Sequence, residues 1–231
     1  DEETGYILDM GVNTFFIIFV ESMKELLEKD YAAVFVGSGA PSGRLLKLPG
    51  YESDGGRNVQ IGVEWLSQVA FGHLTEAPKD VIVLGGGNTA MDCCRTALRL
   101  GAENVKVALR TPIDAMVASP WEIEETQAEG IPILENHNPM EYIVEDGQLK
   151  AMKFDIIEYA VEADGTEVFT PVGRQETVDC SLVLLAIGQA NAFPWIERDI
   201  GIAFNEIGLA VVDEETFQST LPRVFFGGDA A

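Results

Sequence analysis

The 231-residue chain is short of cations, cysteine and histidine. Its 15 Lys and Arg stand against 38 Asp and Glu, a net charge of −23. That deficit excludes nucleic-acid binding, because phosphate contacts need clustered Lys and Arg, and it disfavours an anionic membrane surface. Three cysteines with no C-x-x-C pair exclude a disulfide framework, a redox dithiol and a zinc knuckle. Cys93, Cys94 and Cys180 read as small buried hydrophobes. The two histidines, His73 and His137, have no nucleophile motif beside them, so no catalytic triad can be built and both read as loop or surface side chains. No span reaches the roughly 18 apolar residues that cross a bilayer; the longest bare run, Phe15 to Val20, is of strand length. There is no basic leader, and the opening Asp-Glu-Glu-Thr without Met fits a cut or processed chain. Low cysteine usage and no export signal point to the cytoplasm. What is plentiful is apolar: 47% hydrophobic residues are too many for a disordered chain, despite the charge.

Read in order, Gly5–Met10 suggests a strand. Ser22-Met23-Lys24-Glu25 is a capping box that opens a short helix to about Lys29. Tyr31–Val36 is a strand-length apolar run ending in Gly37-Ser38-Gly39-Ala40-Pro41, where two glycines permit a tight turn and close approach of a ligand to the backbone. Residues 61–72 are helical in pattern, with Ile61, Trp65, Leu66 and Val69 on one face and Trp65 in the core. From Met140 to Val172, Asp146-Gly147 and Asp164-Gly165 punctuate segments rich in Ile, Val, Phe and Tyr, which predicts a small antiparallel meander. Leu182–Ile187 closed by Gly188, and Val224–Phe226 running into Gly227-Gly228-Asp229, are further strands.

Residues 81–111 say most about chemistry. Val81–Leu84 is a continuous apolar run, as for a strand buried on both faces. It enters Gly85-Gly86-Gly87-Asn88-Thr89-Ala90, then a helix with Ala90, Cys94, Ala97 and Leu98 on one stripe, then a second strand, Val105–Leu109. This is a βαβ unit carrying the G-x-G-x-x-A form of the dinucleotide fingerprint. Gly85 makes the turn, Gly87 lets a pyrophosphate approach the backbone, and Ala90 lets the helix pack on the sheet. The helix amides and the positive end of its dipole then hold the phosphate charge. Nucleotide choice is read at the end of the second strand, where Arg110 suits the 2′-phosphate of NADP. The plainer alternatives are a glycine turn without a ligand and a solvated surface arginine. Asp92 either orients a loop across the cleft or adds favourable charge to the helix N-terminus. The Glu122–Glu125 cluster reads as a solvated helix face.

Gly85–Cys93, Leu109-Arg110, Met116–Ser119, Glu122–Glu125 and Glu129-Gly130 together resemble the NADPH domain of the glutamate synthase small (beta) subunit and related flavoproteins. Val34–Pro41 and Leu185–Gln189 resemble the two crossing strands of that superfamily, and Thr216–Ser219 with Leu221-Pro222 and Val224–Ala230 resemble its flavin-binding carboxyl motif. The resemblance implies an α/β, Rossmann-like fold: a parallel sheet with helices on both faces and an inserted antiparallel β-meander. It implies NADPH and FAD as cofactors, hydride passing from the first to the second, and electrons leaving through iron-sulfur centres or a large synthase-type partner subunit. Carried over, Gly85, Gly87, Asn88, Thr89 and Ala90 hold the NADPH pyrophosphate, with Arg110 and Thr111 at the 2′-phosphate. Gly188 lies near the nicotinamide, and Gly37, Gly39, Gly228 and Asp229 belong to the flavin site.

Thr111 stands where the family usually has a second arginine, Ser38 replaces a Thr, and Arg223 stands where Gly is common. The family's leading cysteines and FAD fingerprint are absent from this sequence. The expected organisation is therefore a fragment. Residues 1–76 and 189–231 are two segments of a partial FAD-binding domain, and 77–188 is an NADPH-binding domain. Such a fragment is expected to hold FAD poorly and to expose Phe15–Val20 as a dimerisation edge. The alternatives are a non-catalytic NADP(H)-binding sensor and a scaffold fragment whose apolar edge packs on other chain.

Overall fold

The computed structural model describes residues 2–231 other than 17, 41, 55, 191, 192 and 207. The chain forms two compact units, one of Asp1–Gly39 with Asn191–Ala231 and one of Ala40–Ala190.

In the first unit, helices α1 (Glu2–Asp9) and α2 (Met23–Leu27) precede strand β1 (Val34–Val36). Ser22 caps α2 as its sequence predicts, its side chain accepting the Glu25 N–H at 3.2 Å. The Ser22 hydroxyl in turn donates to the Glu197 carboxylate. The strand expected at Gly5–Met10 is instead the body and end of α1, because the N–H groups of Met10 and Gly11 fold back onto the carbonyls of Tyr6, Ile7 and Leu8. Nor do the described residues of Phe15–Val20 form a strand; they lie exposed without a sheet partner, and Ile17 is outside the described residues. Strand β1 pairs in parallel with the last strand, β12 (Val224–Phe226), matching Val34 to Val224 and Val36 to Phe226. Met23, Val36, Phe193, Val224 and Phe226 form the core between these elements.

The second unit is built on a five-stranded parallel sheet. Its elements run β2 (Ser42–Gly43), α3 (Tyr51–Asp54), β3 (Val59–Ile61), α4 (Gly62–Ala70), β4 (Asp80–Leu84), α5 (Asn88–Arg99), β5 (Asn104–Ala108), α6 (Pro120–Ala128) and β6 (Ile133–Leu134). An antiparallel sheet of β7 (His137–Glu145), β8 (Gln148–Val161) and β9 (Glu167–Asp179) follows, then β10 (Leu182–Leu185) and β11 (Gln189–Ala190). The parallel order is β3-β10-β4-β5-β6, so β10 inserts beside β4. Strands β2 and β11 pair with each other, separately from it.

The side-chain period of two divides this unit's core cleanly. Val81, Val83, Val105, Val107, Leu182 and Leu184 face one way and pack with Trp65 of α4 and with Met91, Cys94 and Ala97 of α5. Ile82, Leu84, Val183 and Leu185 face the other way and pack against Tyr142, Met152 and Phe154 of the antiparallel sheet. Helices α4 and α5 cover the first face, and on the second Tyr51 of α3 packs together with the meander. Burial on both faces explains why β4 and β10 read as unbroken apolar runs. The meander spans 137–179, longer than the predicted 140–172, and its first hairpin turns on Asp146-Gly147. Both turn residues have positive φ, +51° and +71°, between the paired Glu145 and Gln148, the mark of a two-residue type I′ loop.

Residues 40–76, expected with the first FAD segment, pack instead with the strand-rich unit. Strand β3 pairs with β10, and α4 lies on the same core as α5. No described helix is long and apolar enough to cross a membrane.

Candidate functional site

The C-terminal ends of β4, β5 and β10 open into a cleft of about 860 Å³. It lies where β4 leads away to β5 on one side and β10 lies on the other, the switch point at which open α/β sheets take ligands. Its size is that of a small-molecule or cofactor site.

The glycine turn forms one wall. Gly85 has φ +134°, and a Cβ built there would lie 2.2 Å from the Ala186 carbonyl oxygen, so any side chain would collide with the backbone leaving β10. Its N–H donates to the Ala108 carbonyl, pinning the turn to the end of β5 as well. Gly87 differs: its backbone is extended, and an added Cβ would meet only Val117 Cγ2 at 3.6 Å. It is the N-cap of α5 and provides no side-chain cap, and Gly85, Gly86, Gly87 and Thr89 all line the cleft. The positive end of α5 is thereby directed at that space. Ala90 is fully buried, as a helix packed closely on its sheet requires.

Two predicted phosphate-site side chains have other partners. The Ser119 N–H donates to Asn88 Oδ1 at 2.8 Å, and the Ala118 N–H to the Gly86 carbonyl at 3.0 Å, so residues 116–119 are strapped onto the glycine turn. Gln189 Nε2 donates to Thr89 Oγ1 at 3.3 Å, joining the segment after β10 to the first turn of α5. Asp92 is exposed and has no described partner in a loop across the cleft.

Arg110 and Thr111 also line the cleft, just after β5. The Arg110 guanidinium sits 4.6 Å from the centre of the Phe169 ring and is ion-paired to no carboxylate among the described residues. Gly188 lines the cleft too, beside a second guanidinium that the sequence did not suggest: a Cβ added at Gly188 would lie 3.8 Å from Arg44 Nε, and the Arg44 backbone N–H donates to the Gly188 carbonyl at 3.2 Å. No Asp or Glu is among the described residues that line this cleft, in a chain carrying 38 of them.

His137 corrects its expected surface placement. It begins β7 at the cleft wall, buried, its ring edge-on to Phe154 at 5.4 Å between centres. Its Nδ1 lies 2.6 Å from the Glu135 carbonyl and so carries the hydrogen, while Nε2 stands 3.5 Å from Glu176 without a hydrogen-bond partner. His73 is exposed, as expected.

The Glu122–Glu125 cluster is likewise not a plain solvated face. Arg95 on α5 reaches Glu122 at 2.7 Å, Glu125 at 2.5 Å and Glu129 at 2.8 Å, and Arg99 shares Glu129. The hydrogen bond from Arg95, followed by that from Arg99, holds the Glu129 carboxyl below its ordinary range. The glycine-turn helix is thus clamped to α6.

All three cysteines are buried, as expected. Burial pushes the Cys94 and Cys180 thiols up to about 12, and that of Cys93 further, so none is a ready thiolate. Gly37, Gly39, Gly228 and Asp229 belong to the other unit. There, Gly37 and Gly227 follow the paired ends of β1 and β12, with the Gly227 N–H donating to the Val36 carbonyl at 3.1 Å. The two glycine-bearing segments leave that small sheet side by side, and Asp229 is exposed.

A parallel sheet with a glycine turn, an uncapped helix and a cation-lined cleft at its switch point defines a Rossmann-like α/β protein. The chain belongs to the pyridine nucleotide-disulphide oxidoreductase family, which it matches over residues 11–231. It is 33% identical to the glutamate synthase [NADPH] small chain of Halomonas elongata, over 99% of this chain and 50% of that one. It is 31% identical to the NADP(+)-dependent formate dehydrogenase subunit beta of Moorella thermoacetica, over 96% of this chain and 31% of that one. The chain therefore spans only a third to a half of these relatives. In fold it is similar to FprA from Mycobacterium tuberculosis, solved in complex with NADPH, with TM-score 0.70 and 17% identity over 90% of this chain and 60% of that one.

Proposed function

We propose that the Ala40–Ala190 unit binds NADPH, and that the whole protein is a flavin-dependent oxidoreductase passing hydride from NADPH to FAD, of the glutamate synthase small-subunit type. The observation that carries this reading is the cleft's charge: two guanidiniums, an uncapped helix end and no carboxylate, in a chain of net charge −23. A dinucleotide is a polyanion, and these are the features that attract one. The likeness to relatives named for NADPH and NADP(+) supports the nucleotide.

In this reading the amides at the start of α5 hold the pyrophosphate, and Gly87 gives it backbone clearance. Arg110 takes the 2′-phosphate through charge-assisted bonds, with Thr111 beside it. Gly188 lies on the nicotinamide side, near Arg44. FAD, when bound, would supply the hydride acceptor, and Gly37, Gly39, Gly228 and the exposed Asp229 would be this chain's contribution to holding it. The residues bind and orient; no side-chain acid or base is required of them. The electrons then pass to iron-sulfur centres or to a partner subunit, in the cytoplasm.

Calorimetric titration of the chain with NADPH and NADH tests the reading. Arg110→Ala is expected to cost roughly 1.5–3 kcal/mol toward NADPH, the range for hydrogen bonds to charged groups, and little toward NADH. A chain that binds neither nucleotide overturns it.

A further inference from the structure

The meander does more than cover one face of the parallel sheet. Its outer ribbon places Tyr159 of β8 directly opposite Phe169 of β9, with ring centres 5.5 Å apart. The Tyr159 hydroxyl donates to Glu167 at 2.8 Å, which fixes that ring and occupies a nearby carboxylate. Phe169 then presents its ring to the Arg110 guanidinium at 4.6 Å. Arg110 is exposed and has no other described partner, so this ring is what orients it at the cleft wall. Phe169 itself is not among the residues lining the cleft.

We infer that Phe169 is a specificity-determining positioning residue, acting through Arg110 to favour the 2′-phosphorylated nucleotide. The inference rests on the NADPH reading above. An exposed arginine samples many rotamers, and in so acidic a chain it has many carboxylates to wander toward. An aromatic face holds the planar fork by cation–π attraction while leaving its N–H groups free for phosphate. A carboxylate partner would orient the fork equally well but would occupy those donors and cancel the charge. The ring is therefore the kind of support that a phosphate-reading arginine needs.

The test is the ratio of NADPH to NADH dissociation constants, measured by calorimetry on the chain and its variants. Phe169→Leu, which keeps apolar volume and removes the ring face, is expected to weaken NADPH about two- to fivefold, the size of an exposed cation–π contact, and to leave NADH unchanged. Phe169→Tyr restores the ratio. In an Arg110→Ala background, Phe169→Leu changes nothing further. Equal weakening of both nucleotides, or an unchanged ratio in a chain that binds NADPH, overturns the role of Phe169 alone. A wild-type chain that binds neither nucleotide overturns both this role and the reading beneath it.

Discussion

The two outer glycines of the turn have different duties, and alanine separates them. In Gly85→Ala the new Cβ meets the Ala186 oxygen at 2.2 Å, where carbon and its neighbours normally touch at ~3.5 Å. The backbone leaving β10 must shift by roughly 1 Å, and an L-residue must also hold φ +134°, a conformation costing about 1–3 kcal/mol. Together these destabilise the Ala40–Ala190 unit by roughly 2–4 kcal/mol. At about 2–4 °C per kcal/mol for a protein of this size, its melting point falls by roughly 5–15 °C. Gly87→Ala adds a Cβ that touches only Val117 at 3.6 Å, on extended backbone. Stability falls by about 1 kcal/mol or less, the loss from a poorer N-cap. NADPH affinity nevertheless drops at least about tenfold, or ~1.4 kcal/mol, because the methyl occupies the space the pyrophosphate needs. Thermal unfolding by circular dichroism, paired with calorimetric titration of each variant, reads both effects. A Gly85→Ala protein that melts like the wild type refutes the packing argument. A Gly87→Ala protein that melts and binds like the wild type refutes the phosphate seat.

Other expectations concern the clamp, a backbone conformation and the thiols. Because the folded carboxyl of Glu129 is held below its ordinary value of 4.5, its stabilising contribution is present above about pH 4.5 and is lost as pH falls through the folded value. Glu129→Gln should accordingly flatten the acid limb of a stability–pH profile, and an unchanged limb counts against the clamp. Arg223, at φ +70°, occupies a left-handed conformation costing about 1–2 kcal/mol for an L-residue. Arg223→Gly relieves it, and after glycine's entropy loss of about 0.5–1 kcal/mol a net gain of roughly 0.5–1 kcal/mol should appear in urea unfolding, despite loss of the exposed bond to the Leu27 carbonyl. Cys93, Cys94 and Cys180 should resist iodoacetamide near neutral pH until the protein is unfolded; rapid labelling of the native chain would contradict their burial.

Much of the second unit was legible because its signals are local. Strand β4 is buried on both faces, so its sequence is unbroken; the turn after it demands glycine; and α5 carries a clear stripe. The Asp146-Gly147 hairpin follows from turn chemistry alone. What escaped is either too short to read or depends on distant partners. Gly5–Met10 is too short for its periodicity to separate helix from strand. His137 is buried in part by Phe154, seventeen residues further along the chain, whose ring it meets edge-on. The glutamates of α6 look like a solvated face until Arg95 is placed among them. Arg44 and Phe169 join the cleft region by tertiary packing, and neither sits in a motif. A lone arginine before a glycine-poor loop, or a phenylalanine in a ribbon, carries no local mark of what it will stand beside.

The pairing of β1 with β12 has a consequence for synthesis. The Ala40–Ala190 unit is one continuous stretch and can close as soon as it clears the ribosome, whereas β1 must wait for a strand beginning at Val224. At roughly 5–20 residues per second the delay is about 10–40 s. Throughout that interval Met23 and Val36, which end in the first unit's core, have no finished core to enter, which makes the segment that carries them a natural client for a holding chaperone.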